Sequence, residues 1–106
     1  MTLLSRSEEL VLLAIWKLKH LAYGVPIRDL LSEWTGHEWA IGTIYKPLKM
    51  LYQKDLVLKE MTEPSEERGG RSKYIYTLTP NGEEALREIR KIQNAAWSGD
   101  SERVFE

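Results

Sequence analysis

"IGTIYKPLKMLYQKDLV", residues 41–57, is the stretch whose reading decides the fold. Ile41, Ile44, Leu48 and Leu51 recur at i, i+3, i+7 and i+10, the spacing of one buried helical face. At about 100° per residue the opposite face carries Thr43, Lys46, Lys49, Met50 and Gln53, with Pro47 on the flank. A proline inside a helix removes a backbone donor and costs about 3 kcal/mol, so this helix must have a reason to keep one. After Asp55 the period changes. Val57, Lys59 and Met61 alternate against Leu58, Glu60 and Thr62, which predicts a strand.

Working outward, "KYIYTLT" (73–79) is rich in β-branched and aromatic residues and reads as a returning strand. "EPSEERGGRS" (63–72) between the strands holds proline, paired glycines and charges, the composition of a hairpin tip. Thr79 can cap a last helix that has Pro80 at its first position, where proline is tolerated. Ala85, Leu86, Ile89, Ile92, Ala96 and Trp97 give that helix an apolar stripe, and residues 98–106 form a loose tail. Upstream, Ser7 can cap a first helix with Glu8 and Glu9 in its first turn, and Gly24 and Pro26 end it. Its apolar arc is wider than a surface helix needs. "IRDLLSEW" (27–34) forms a short second helix, and "TGHEW" (35–39) a turn.

The expected order is therefore helix, helix, helix, strand, loop, strand, helix. This is a mainly α fold with a β-hairpin wing, a winged helix-turn-helix followed by a C-terminal dimerisation helix. The expected organisation is a winged helix-turn-helix unit over 1–79, the dimerisation helix over 80–97 and a tail over 98–106.

Composition bounds the function. A chain of 106 residues with 42% apolar and 29% charged residues suits one small soluble domain. The absence of cysteine excludes disulfides and thiolate metal sites. No stretch reads as a secretory signal or a membrane span, which makes the cytoplasm the expected location. Net charge is −1, yet residues 43–73 hold seven basic and five acidic side chains, a local balance of +2. An enzyme is not expected, and no cofactor is implied. His20 and His37 are isolated, Asp29 and Glu33 read as a solvated pair, and "GGRS" lacks the lysine and the strand-to-helix setting of a phosphate loop.

Tyr23-Gly24 before the second helix, Gly42-Thr43-Ile44-Tyr45 opening the third, Gly70-Arg71 in the wing with Tyr74 and Tyr76 behind it, and Leu78-Thr79-Pro80-Asn81-Gly82 entering the last helix occur in one order. In this the chain resembles the PadR family of winged-helix transcriptional regulators, over roughly residues 8–97 and in its short, single C-terminal helix form. It departs in having Tyr52 after Leu51 and Asp55 where glycine is usual; aspartate takes a left-handed backbone better than most residues but less easily than glycine. The resemblance implies a homodimeric, sequence-specific repressor on a palindromic promoter operator, with the third helix in the major groove. It also offers a reason for Pro47, early in the helix and clear of the reading face. The alternative is that Pro47 kinks the helix onto the core.

Candidate DNA contacts are Thr43, Tyr45, Lys46 and Lys49 on the third helix and Arg68, Arg71 and Lys73 on the wing. The plain alternatives are a solvated helix face and a hairpin tip kept soluble by charge. Leu86, Ile89, Ile92 and Ala96 are the expected dimer contacts, against the surplus apolar surface of the first helix. Trp16 and Trp97 are either packing residues or the walls of a site for a small aromatic or hydrophobic effector, a ligand type the resemblance also implies. The competing function is a winged-helix module that binds protein and not DNA.

Overall fold

The computed structural model describes residues 3–63 and 73–99. The elements run α1 (Arg6–Leu18), a 3₁₀ turn (Lys19–Leu21), α2 (Gly24–Thr35), α3 (Ile41–Gln53), β1 (Val57–Met61), β2 (Tyr74–Leu78) and α4 (Pro80–Trp97). The strands pair antiparallel. The fold is a winged helix-turn-helix with a C-terminal helix, as the periodicities predict.

Ser5, and not Ser7, caps α1. Its Oγ accepts from the Glu8 N–H at 3.1 Å, and its own N–H donates to Glu8 Oε1 at 2.8 Å. This reciprocal box satisfies two donors at once, which a cap at Ser7 would not. Glu8 is buried, and Lys54 Nζ donates to both its carboxylate oxygens, at 3.1 and 3.2 Å. Burial alone would raise the Glu8 pKa, but the bonds from Ser5 and Lys54 outweigh it and hold the carboxyl below its ordinary value. The start of α1 is thereby tied to the end of α3.

The second helix also begins earlier than expected. Gly24 and Pro26 do not end α1, which stops at Leu18 with Lys19 at φ +54°; both lie in the first turn of α2. The N–H groups of a first turn have no helical partner, so a proline at the third position forfeits little. At the other end Gly36 has φ +71° and donates to the Ser32 carbonyl, a left-handed cap. Trp39 then fastens the turn. Its ring N–H donates to Thr35 Oγ1 at 2.9 Å and its backbone N–H to Ser32 Oγ at 3.0 Å.

Ile44, Leu48 and Leu51 of α3 are buried as their spacing requires, and so is Pro47. The ring belongs to the core and does not lie on an open flank; its burial offsets part of the lost bond to the Thr43 carbonyl. The helix continues past it to Gln53. The core is completed by Val11, Leu12 and Ile15 of α1, Ile27 and Leu31 of α2, Val57 and Tyr76.

Asp55 turns the chain at φ +60°, in the left-handed region that aspartate enters more readily than most residues. That turn aims its carbonyl at the start of α4, where Thr79 Oγ1 donates to it at 2.6 Å and accepts from the Gly82 N–H at 3.0 Å. The Asp55 carboxylate accepts from Asn81 Nδ2 at 3.0 Å. One turn therefore joins the end of α3, the base of the hairpin and the cap of α4.

Candidate nucleic-acid interface

Burial of Ile44, Pro47, Leu48 and Leu51 turns the other side of α3 outward, and Thr43, Lys46 and Lys49 are exposed there. From Ile41 to Lys54 there is no acidic residue, whereas α1, α2 and α4 each carry carboxylates among their basic residues. The salt bridges among the described residues join Arg28 to Asp29, Lys54 to Glu8, and Arg87 to Glu83 and Glu84. None compensates Lys46 or Lys49. Thr43 donates its hydroxyl hydrogen to the Ala40 carbonyl at 2.6 Å, so the oxygen lone pairs and the methyl are what it offers outward. Ala40 supplies no side-chain cap, and the start of α3 keeps the partial positive charge of a helix N-terminus.

Tyr45 is exposed and leans on the start of α2; a Cβ on Gly24 would stand 3.3 Å from its hydroxyl oxygen. Lys73, at the foot of β2, places Nζ 3.3 Å from the centroid of the Tyr23 ring, a cation–π contact that fixes the ammonium beside the start of α2. Its backbone N–H donates to Thr62 Oγ1, and its carbonyl accepts from the Thr62 N–H. Arg68 and Arg71 lie outside the described residues. Thr43, Tyr45, Lys46 and Lys49 thus share α3, with Lys73 anchored at the neighbouring helix start.

The periodicity reading did not single out Lys59, whose Nζ lies 4.8 Å from the Tyr52 centroid and 4.9 Å from that of Tyr74. Alternation did put Lys59 on one strand face with Val57; only the contact with α3 was invisible, because it depends on how the hairpin docks.

On the far side, Leu86 and Ile89 of α4 are partly buried, and Ile92 and Ala96 are exposed. Trp16 is 55% exposed and lines a cleft of about 430 Å³ between α1 and α4, with Leu13, Leu86 and Ile89. Trp97 is 48% exposed and is not part of that lining. Among the described residues no three His, Asp or Glu side chains gather as metal ligands, and no helix is long and apolar enough to cross a membrane.

Comparison with known proteins points one way. The model of the PadR-like family of transcriptional regulators matches residues 12–88. A PadR family transcription regulator from Clostridium difficile R20291 is 30% identical, with 86% of this chain and 88% of that one covered and a TM-score of 0.66. RosR from H. salinarum is 25% identical over 92% of this chain and 80% of its own, with a TM-score of 0.70. A Streptococcus mutans UA159 protein shares the fold at 22% identity, covering 100% of this chain and 99% of its own, with a TM-score of 0.68. No match was found among curated proteins.

Proposed function

Because the chain belongs to the PadR-like family of transcriptional regulators, we propose that it is a homodimeric repressor that binds a palindromic promoter operator. Regulators of this family bind DNA; the chain is a transcription regulator and not an enzyme. The observation that carries the proposal is the outward face of α3, where Thr43, Lys46 and Lys49 are exposed on a helix without carboxylates. Lysine neutralises phosphate and can reach guanine acceptors, and threonine suits a phosphate or a thymine methyl. Tyr45 and Lys73 add to this surface, and Arg68 and Arg71 are proposed to contribute further phosphate contacts. In this reading 1–79 is the DNA-binding unit, 80–97 the dimerisation helix and 98–106 a tail. A promoter-bound repressor works where the DNA is, in the cytoplasm.

Affinity for a duplex from the region upstream of its own gene, measured against salt, tests the proposal. Lys49→Ala should weaken binding to every sequence alike and flatten the slope of log affinity against log salt by about 0.9. Salt-independent affinity, or none, favours the protein-binding module instead.

The repressor is further proposed to release DNA when a planar aromatic molecule binds at the dimer interface, against Trp16 and Trp97. Two exposed indoles support this, as does the apolar cleft that Trp16 lines. Stacking and burial of roughly 150–250 Å² per aromatic side chain would hold such a ligand. Saturable quenching of indole emission by planar aromatics, lost in Trp97→Phe, with weaker operator binding in the presence of ligand, is the expected result. Quenching that is absent, or that survives in both Trp97→Phe and Trp16→Phe, leaves these residues as packing.

A further inference from the structure

The β1–β2 ladder pairs Val57 with Leu78, Lys59 with Tyr76 and Met61 with Tyr74. Directly paired residues share a face of the hairpin. At the base this face is core, with Val57 and Tyr76 buried. Further out the same face carries Lys59 and Tyr74, both exposed. The outer half of α3 stands opposite, and between them lies a cleft of about 510 Å³. Tyr45, Lys49, Tyr52, Lys59 and Tyr74 are among its lining residues, and no carboxylate is. Glu60 alternates onto the other face of β1, with Leu58, and leaves the two lysines as the cleft's charged lining residues.

Lys59 is held within this cleft. Its ammonium lies 4.8 Å from the centroid of Tyr52 on α3 and 4.9 Å from that of Tyr74 on β2. Ring quadrupoles attract a cation without neutralising it. An exposed lysine ordinarily loses much rotamer freedom when it grips a ligand. Here two rings, one from the reading helix and one from the wing, have already restricted it. Lys49 adds a second cation and the tyrosines add neutral donors, so the cleft complements a polyanion.

We propose that this cleft is a phosphate clamp. Lys59, held between Tyr52 and Tyr74, grips the DNA backbone where it passes from α3 to the wing, with Lys49 beside it. The inference rests on the DNA-binding reading above and adds to it a contact made by neither the outward face of α3 nor the hairpin tip. A point charge among neutral donors recognises phosphate and not base identity.

The test is duplex binding by Lys59→Met and Lys59→Arg, with the upstream duplex and an unrelated one of equal length, between 50 and 200 mM salt. Lys59→Met should make the salt slope shallower by about 0.9, so that wild-type affinity falls about 3.5-fold more than the variant's over that range. Both duplexes should lose affinity by the same factor, and Lys59→Arg, which keeps charge and ring contact, should retain the wild-type slope. If the wild type binds with a salt slope that Lys59→Met leaves unchanged, the clamp is wrong and the regulator reading stands. A loss confined to the upstream duplex also overturns it, because that is base reading. If the wild type binds neither duplex, the DNA-binding reading itself has failed and the clamp falls with it. Should Lys59→Met not fold, Lys59→Gln must show the same shallower slope, and an unchanged slope there overturns the proposal.

Discussion

Gly82→Ala should destabilise the fold more than any other single-methyl change in the described chain. Gly82 lies buried in the first turn of α4, and a Cβ built there would stand 2.0 Å from the Leu56 carbonyl oxygen. That oxygen cannot step aside, since it accepts the Thr79 N–H at 3.1 Å within the turn that joins α3, the hairpin and α4. Two effects oppose each other. Alanine favours a helix over glycine by about 1 kcal/mol, whereas forcing a carbon into packed backbone costs about 3 kcal/mol at the upper end of the usual range. The clash wins, and a net loss of about 2 kcal/mol should lower Tm by roughly 8–16 °C in a domain of this size. Gly42→Ala is the internal control. A Cβ on Gly42 in α3 meets nothing within 4 Å, so only the propensity term acts there and Tm should rise. Thermal melts of the two variants followed by circular dichroism should therefore move in opposite directions. A Gly82→Ala protein as stable as the wild type would mean that α4 does not press on the hairpin turn as described.

The same turn shows what could be read from the residues alone. The apolar spacing of Ile44, Leu48 and Leu51 and the Thr79-Pro80 helix start are local matters, decided by neighbours in sequence, and each appears where expected. Two local readings went astray because one signal has two meanings. Ser5 and Ser7 both precede acidic residues, and only the reciprocal bond with Glu8 selects Ser5. Pro26 breaks a helix from inside but is tolerated in the first turn of one, and α2 uses it so. What stayed hidden was tertiary. Glu8 and Lys54 meet across 46 positions, and Lys59 reaches Tyr52 only because the hairpin folds back beside α3. Neither pairing follows from any period in the sequence. The exposed lysines of α3 were legible because a helix whose inner face is fixed by burial has only one way to turn its remaining residues.

Ile92→Asp should convert the proposed dimer to monomers and cost about 10²–10⁴-fold in operator affinity, the usual advantage of engaging two linked sites together. α4 is anchored through its N-terminal turns, and Ile92 lies beyond them. Thr79, Gly82, Ala85 and Leu86 fix its first turns to the hairpin base and the core edge. From Arg90 to Trp97 every residue is exposed, including Ile92 at 44%. An apolar stripe on an exposed helix end is costly in water, and a small domain gains by covering it with a second copy. The cleft floored by Leu13, Trp16, Leu86 and Ile89 continues that apolar surface onto α1. A carboxylate at position 92 would have to be buried unpaired in such an interface, whereas in a monomer it would face water at little cost, within about 0.5 kcal/mol. The variant should therefore melt as a folded monomer, sediment at half the wild-type mass and bind the operator with the weak affinity of one half-site. Lys91→Ala, next to it but off the stripe, should stay dimeric. An Ile92→Asp protein that is folded and still dimeric would place the interface elsewhere on the molecule, and the exposed stripe of α4 would then need another partner.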